Sequence, residues 1–134
     1  MPTLFTRIIR GEIPCHKVAE SDQFFSFLDI HPLAMGHTLV IPKVEVDYFF
    51  DLEDPLLSDL MVFSKRVAAA IRETVPCKRI GLSVVGLEVP HAHLHLIPLQ
   101  SIQDMSFEKE KLNVSNEDLA DLSAKIRKAY DANK

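Results

Sequence analysis

Val89-Pro90-His91-Ala92-His93-Leu94-His95-Leu96-Ile97-Pro98 holds both the fold and the chemistry of this chain. Along a strand, side chains alternate between two faces. His91, His93 and His95 therefore share one face, and Ala92, Leu94 and Leu96 share the other and should enter the core. An imidazole row is poor core material, because buried polar groups need partners. The plain alternative is a solvent-exposed face that happens to be rich in histidine. With six histidines in 134 residues, three at strict alternation are a poor fit to chance.

Two chemistries suit such a row. The first is metal binding. At a rise of about 3.3 Å per residue, His91 and His95 are roughly 13 Å apart on a straight strand. One zinc, with Zn–N near about 2.0–2.1 Å, cannot take all three. Two of them with His37 could, which leaves one histidine unexplained. The second is nucleophilic catalysis. Neutral imidazole is a good nucleophile near neutral pH. The middle histidine can attack phosphorus while its neighbours donate to non-bridging oxygens or to the leaving group. Phosphoryl centres need such multi-point clamping. No metal is required where imidazoles and backbone amides supply it.

Working outward, the strand Val89–Leu99 is preceded by a second, Arg79–Val85, through a tight turn near Gly86. Phe24–Ile30 is aromatic-rich and bounded by turn residues, which predicts a strand broken by His31-Pro32. Gly36–Pro42 is the next strand, and the two form an antiparallel hairpin. His16–Ala19 is a short strand before a turn at Ser21-Asp22. Asp54-Pro55 opens the clearest helix, with Asp54 as cap and Pro55 in the first turn. Leu57, Leu60, Met61, Val67, Ala68, Ile71 and Val75 follow at helical spacing, and Pro76 stops it. Leu4, Phe5, Ile8 and Ile9 predict a short helix over Thr3–Arg10, ended by Gly11. Ser115-Asn116-Glu117-Asp118 resembles a capping box, and Leu119, Leu122, Ile126 and Tyr130 mark one face of a C-terminal helix. Strand runs adjoin each other and only one long helix separates them. That order predicts an α+β fold, about five antiparallel strands with one long central helix, rather than a doubly wound parallel sheet.

Length and composition narrow the function classes. A chain of 134 residues is expected to form a single domain over 1–134. Its net charge of −4 gives no basic stripe, which argues against binding a nucleic-acid polymer, while single nucleotides remain open. Lys109 and Lys111 sit in Glu108-Lys109-Glu110-Lys111, a solvated mixed-charge segment. Ile80–Gln103 carries Glu88, three histidines and two prolines, so it is no plain membrane span. Cys15 and Cys77 are not in a CxxC pair and, with no signal peptide evident, read as reduced, buried thiols of a cytoplasmic protein.

The triad His91-Ala92-His93-Leu94-His95-Leu96-Ile97 resembles the His-x-His-x-His-x-x motif, with apolar x, of the histidine triad (HIT) proteins. The resemblance extends upstream. Phe5-Thr6-Arg7-Ile8-Ile9-Arg10-Gly11-Glu12-Ile13-Pro14 is similar to the family's N-terminal F-x-x-I-I-x-x-E-I-P. Phe27-Leu28-Asp29-Ile30-His31-Pro32 and Gly36-His37-Thr38-Leu39-Val40-Ile41-Pro42-Lys43 are similar to its next block. It covers about residues 4–99 and leaves 100–134 as a C-terminal extension with a helix.

The resemblance implies a HIT-like fold and a nucleotide hydrolase or nucleotidyl transferase of the Hint type. The substrate would be a purine nucleotide or nucleoside phosphoramidate, attacked at the α-phosphorus without a cofactor. His93 would be the nucleophile and His95 the contact to phosphate and leaving group. His91 would order the site, and His37 would support the nucleophilic imidazole. Asp29 would accept ribose hydroxyls, although alone it also reads as a turn residue before His31-Pro32. Phe5, Ile8, Phe27 and Ile30 would surround the base, although singly they also read as core. His16 and His31 are left as surface or turn residues. One departure stands out. Many relatives carry an Asn and then Gly-Gln-Ser/Thr before the triad, where this chain has Gly86-Leu87-Glu88-Val89-Pro90, which reads as a shorter loop without Asn. Glu88 occupies the place of a hydroxyl, and a carboxylate repels phosphate unless it is protonated or meets an amine-bearing leaving group. A nucleotide-binding module with little catalysis is the reading this departure keeps open.

The resemblance also implies a homodimer. The helix Pro55–Val75 carries Leu56, Leu57, Leu60, Met61, Phe63, Val67, Ala68 and Ile71 over more than one stripe. A wide apolar arc usually buries a second face, which a two-fold partner can cover. The C-terminal helix covering that arc within one chain is the alternative.

Overall fold

A computed structural model describes residues 2–133. Five strands form one sheet: β1 (Lys17–Glu20), β2 (Phe24–Leu28), β3 (Thr38–Pro42), β4 (Arg79–Ser83) and β5 (Leu94–Leu99). Their order across the sheet is β1-β2-β3-β5-β4, with every neighbouring pair antiparallel. Three helices complete the α+β fold: α1 (Leu4–Ile9), α2 (Asp54–Thr74) and α3 (Asn116–Asn133).

Alternation along the central strands divides the interior in two. Phe24, Leu28, Val40, Leu94 and Leu96 face α2 and α3, where they pack with Leu60, Phe63, Val67, Ile71, Leu119, Ile126 and Tyr130. Phe25, Phe27, Leu39 and Ile41 face the opposite way and pack with Phe5 and Ile8 of α1. Both faces are covered, so these strands read as continuous apolar runs with no polar side. Ala92, Leu94 and Leu96 lie in the α2/α3 core, as their alternation requires.

Several expected boundaries move. The turn near Gly86 is not tight: β4 ends at Ser83, β5 begins at Leu94, and residues 84–93 connect them. Pro90 has no N–H for a ladder, and the Ala92 N–H is given to the Val46 carbonyl (2.6 Å) instead of to β4. His91 and His93 are therefore loop residues that precede the strand. β2 stops at Leu28 because the Asp29 side chain accepts the His31 N–H (2.8 Å), forming a turn. β3 starts two residues late because Gly36 has φ +95°, a left-handed conformation next to the side chains of Val75 and Pro98. The cap of α2 is Glu53, with Asp54 already helical and no side-chain cap bond. Thr3 caps α1 by accepting the Thr6 N–H, so that helix is shorter than Thr3–Arg10. Ser115 Oγ accepts the Asp118 N–H (3.1 Å) at the start of α3. A full capping box lies instead at Ser101 and Asp104, around a short 3₁₀ turn over Ile102–Met105. No helix among the described residues is long and apolar enough to cross a membrane.

α3 takes part of the wide arc of α2: Phe63 and Tyr130 pack with ring centroids 5.9 Å apart. Met61 and Val62 on α2, and Leu82 on the edge strand β4, stay exposed.

Candidate active site

The α1-facing side of the sheet carries the candidate site. Leu39 of β3 pairs with His95 of β5 and, on its other side, with Phe27 of β2. Chain alternation thus sets His95 beside the apolar floor of a cleft of about 540 Å³, within the range of small-molecule sites. Phe5 of α1 lies edge-on to His91 (5.7 Å), His93 (5.0 Å) and Phe27 (5.6 Å). The three histidines therefore follow one side of the chain although only His95 is in a strand. They are buried, His91 completely, which removes the reading of a solvent-exposed His-rich face.

The hydrogen bonds set each ring's tautomer, since a carbonyl can only accept and a backbone N–H can only donate. His91 Nε2 donates to the Pro42 carbonyl (2.8 Å). In the neutral ring its Nδ1 is then the acceptor, met by the Thr3 hydroxyl at 2.7 Å. Thr3 is itself held by Glu45, which accepts from the Thr3 N–H and from the Thr6 hydroxyl, both at 2.7 Å. The cap of α1 and the first triad histidine are thus one bonded unit. His93 Nδ1 donates to the His91 carbonyl (2.7 Å), leaving the lone pair of the neutral ring on Nε2. Leu33 N–H donates to His37 Nδ1 (3.0 Å), so His37 Nε2 carries the hydrogen and donates to His95 Nδ1 (3.0 Å). His95 Nε2 must then carry a hydrogen. Next to each other, with ring centroids 5.2 Å apart, stand a ring with a lone pair and a ring with a donor.

Burial pushes His37, His93 and His95 below the ordinary imidazole range. Asp29 works against this at His37, with Oδ2 3.6 Å from Nε2, while Lys111 and Lys109 work with it. The dominant cause is desolvation of the charged form. The rings are neutral at physiological pH, the form that can attack an electrophile.

Asp29, His37 and His95 bring ligand atoms within 4.8 Å of one another. This is one triad histidine with His37 and a carboxylate, not the two triad histidines with His37 expected for a metal. The donor set does not fit an ion well. Leu33 N–H occupies His37 Nδ1, and a metal on Nε2 would move the ring hydrogen onto Nδ1, against that N–H.

His93, His95, His37, Asp29, Phe5, Ile8, Phe27 and Ile30 all line the cleft. His91 is fully buried and is not among the lining residues. Asp29 fits the turn reading through Oδ1, which accepts the His31 N–H, while its Oδ2 faces His37 in the cleft. His31 and Glu88 are exposed lining residues, and Glu88 favours protonation of His93. Among the lining residues that were not anticipated are Phe107 and Lys111. Phe107 packs edge-on to His95 at 4.8 Å. Its one signal in the sequence is an aromatic residue alone within the polar run Gln103–Lys111.

A family model described as the HIT domain matches residues 10–102. An uncharacterized HIT-like protein of Borreliella burgdorferi is 33% identical over 131 residues, which are 92% of this chain and 94% of that one. Adenosine 5'-monophosphoramidase HNT1 of Saccharomyces cerevisiae is 40% identical over 96 residues, 71% of this chain and 61% of the yeast protein. Among solved structures, a HIT-like protein from Bartonella henselae described as involved in cell-cycle regulation superposes with a TM-score of 0.81 at 30% identity, covering 95% of both chains.

Proposed function

The chain belongs to the HIT family, and on that premise we propose that it is a nucleotide hydrolase acting at the α-phosphorus of a nucleoside phosphoramidate or related nucleotide through a covalent nucleotidyl-histidine. The observation that carries this is the tautomer pair. His93 gives its Nδ1 hydrogen to the His91 carbonyl (2.7 Å), and its Nε2 lone pair is the nucleophile. It attacks phosphorus as the bond to the leaving group breaks, and water then cleaves the P–N bond to release the nucleotide and regenerate the ring. His95 Nε2–H serves the non-bridging oxygens and the departing group. His37 is the positioning residue that dictates the tautomer of His95. Asp29 takes the ribose hydroxyls, and Phe5, Ile8, Phe27 and Ile30 enclose a purine. The reading calls for no metal or cofactor. The yeast relative's name, adenosine 5'-monophosphoramidase, supports the substrate class.

The test is intact-mass measurement after acid quench during turnover of an adenosine phosphoramidate. A nucleotidyl adduct on His93 is the expected result. Product release with no adduct under single-turnover conditions removes the covalent step. Tight nucleotide binding with neither adduct nor product favours a binding module, the reading that Glu88 in the lining supports.

The same reading includes a homodimer working in the cytoplasm on small molecules, not on nucleic-acid polymers or membranes. Cys15 and Cys77 are free, though half-buried rather than buried as expected, and support a reducing compartment. The exposed Met61, Val62 and Leu82 on α2 and the edge strand β4 support the dimer, since an uncovered sheet edge invites pairing. Sedimentation equilibrium at micromolar concentration should give twice the 15.1 kDa of one chain, and a mass near one chain overturns it.

A further inference from the structure

Past β5 the chain turns back over the cleft. The capping box of Ser101 and Asp104 starts the return, and the Leu112 N–H donates to the Pro32 carbonyl (2.8 Å), fastening it beside the β2–β3 connection. Between these two anchors Phe107 stands edge-on to His95 at 4.8 Å and to His37 at 6.3 Å. Lys111 reaches the cleft lining.

The charges of that lining do not suit an anion without Lys111. Asp29 and Glu88 are carboxylates. His37, His93 and His95 are held neutral by burial. Lys111 is the one Lys or Arg of the lining among the described residues. Lys109, two residues earlier, faces Asp104 at 3.5 Å and does not line the cleft. Lys111 Nζ donates to the Phe107 carbonyl (3.1 Å). An ammonium has three donors, so that bond leaves two for a ligand. The field of Lys111 already reaches the site, where it opposes a second positive charge on His37.

We propose that Lys111 is the anion-binding residue of the cleft, taking a non-bridging phosphate oxygen of the nucleotide, and that Phe107 on the same segment shields His95 from water. The inference rests on the nucleotide reading above and adds to it a charge from the C-terminal segment, beyond the matched family region. Neutral imidazoles give hydrogen bonds but no counter-charge. A charge-assisted bond from an ammonium is about twice as strong as a neutral one.

The test compares AMP with adenosine, which lacks the phosphate, by calorimetry on the whole chain. Lys111→Met should weaken AMP about tenfold and leave adenosine unchanged, and should reduce the salt dependence of AMP binding. Lys111→Arg should restore most of the affinity, and Lys109→Met should stay within about twofold. Equal AMP affinity in Lys111→Met and the unsubstituted protein overturns the assignment. So does an equal weakening of AMP and adenosine, which would make the segment a matter of shape. An unsubstituted protein that binds neither ligand overturns the nucleotide reading itself and this inference with it.

Discussion

His93→Ala is expected to lower turnover of an adenosine phosphoramidate by at least about 10³-fold, since loss of an attacking nucleophile costs on this order or more. AMP affinity should change by less than about threefold, because the apolar enclosure and Asp29 stay in place. The substitution also strips the His91 carbonyl of its donor, at a cost of about 1–3 kcal/mol if water does not replace it. Thermal unfolding must therefore be run beside the assay. Retained turnover in a folded His93→Ala protein removes the assigned nucleophile. The pH profile carries the same logic. Burial lowers His37, His93 and His95, so the acid limb of the rate should fall below the ordinary imidazole value of about 6.5. For stability the sign is fixed by proton uptake. The unfolded chain binds more protons at these groups, so their contribution is complete above about pH 6.5 and is lost as pH falls toward the folded values. A denaturation midpoint that rises on acidification from pH 7 to 5.5 contradicts buried neutral rings.

A chain ending at residue 115 is expected not to fold cooperatively. It loses α3, whose Leu119, Ile126 and Tyr130 are buried in the same core as Leu94 and Leu96 of β5. Full burial of one such side chain contributes about 1.5–3 kcal/mol, so the three together contribute roughly 5–9. Whole-domain stability is about 5–15 kcal/mol, so the loss consumes most of it. Urea titration followed by far-UV circular dichroism checks this. A sigmoidal transition with a midpoint near that of the full chain would show that the family-like region 10–102 stands alone. The expectation of one domain over 1–134 stands or falls with that result.

Periodicity made the histidine row legible, while the expected places of His37, Asp29 and Phe5 came from the family resemblance. Leu94 and Leu96 must be buried, so the alternating histidines must emerge on the other side, whichever of them belong to the formal strand. The pairing of Leu39 with His95 and with Phe27 puts both apolar residues on the histidine side. The pattern could not show the break before β5, because the Ala92 N–H is drawn away by Val46, a partner 46 residues distant. Nor could it show burial of the histidines, which depends on Phe5 arriving from α1 and Phe107 from beyond β5.

What the sequence determined by itself is what short-range geometry dictates: the strand and helix faces, the α+β order and the row of three imidazoles. What only the tertiary structure decided is the protonation pattern of that row and the charge around it. A tautomer follows from whichever carbonyl or N–H meets each ring, here Pro42, His91 and Leu33. None of these assignments could be read from the alternation of side chains. Lys111 reads as a solvated charge among Glu108, Lys109 and Glu110 until the chain folds back and ties Leu112 to Pro32. A charge acts through its distance in space, and the spacing of residues along the chain carries no information about that return.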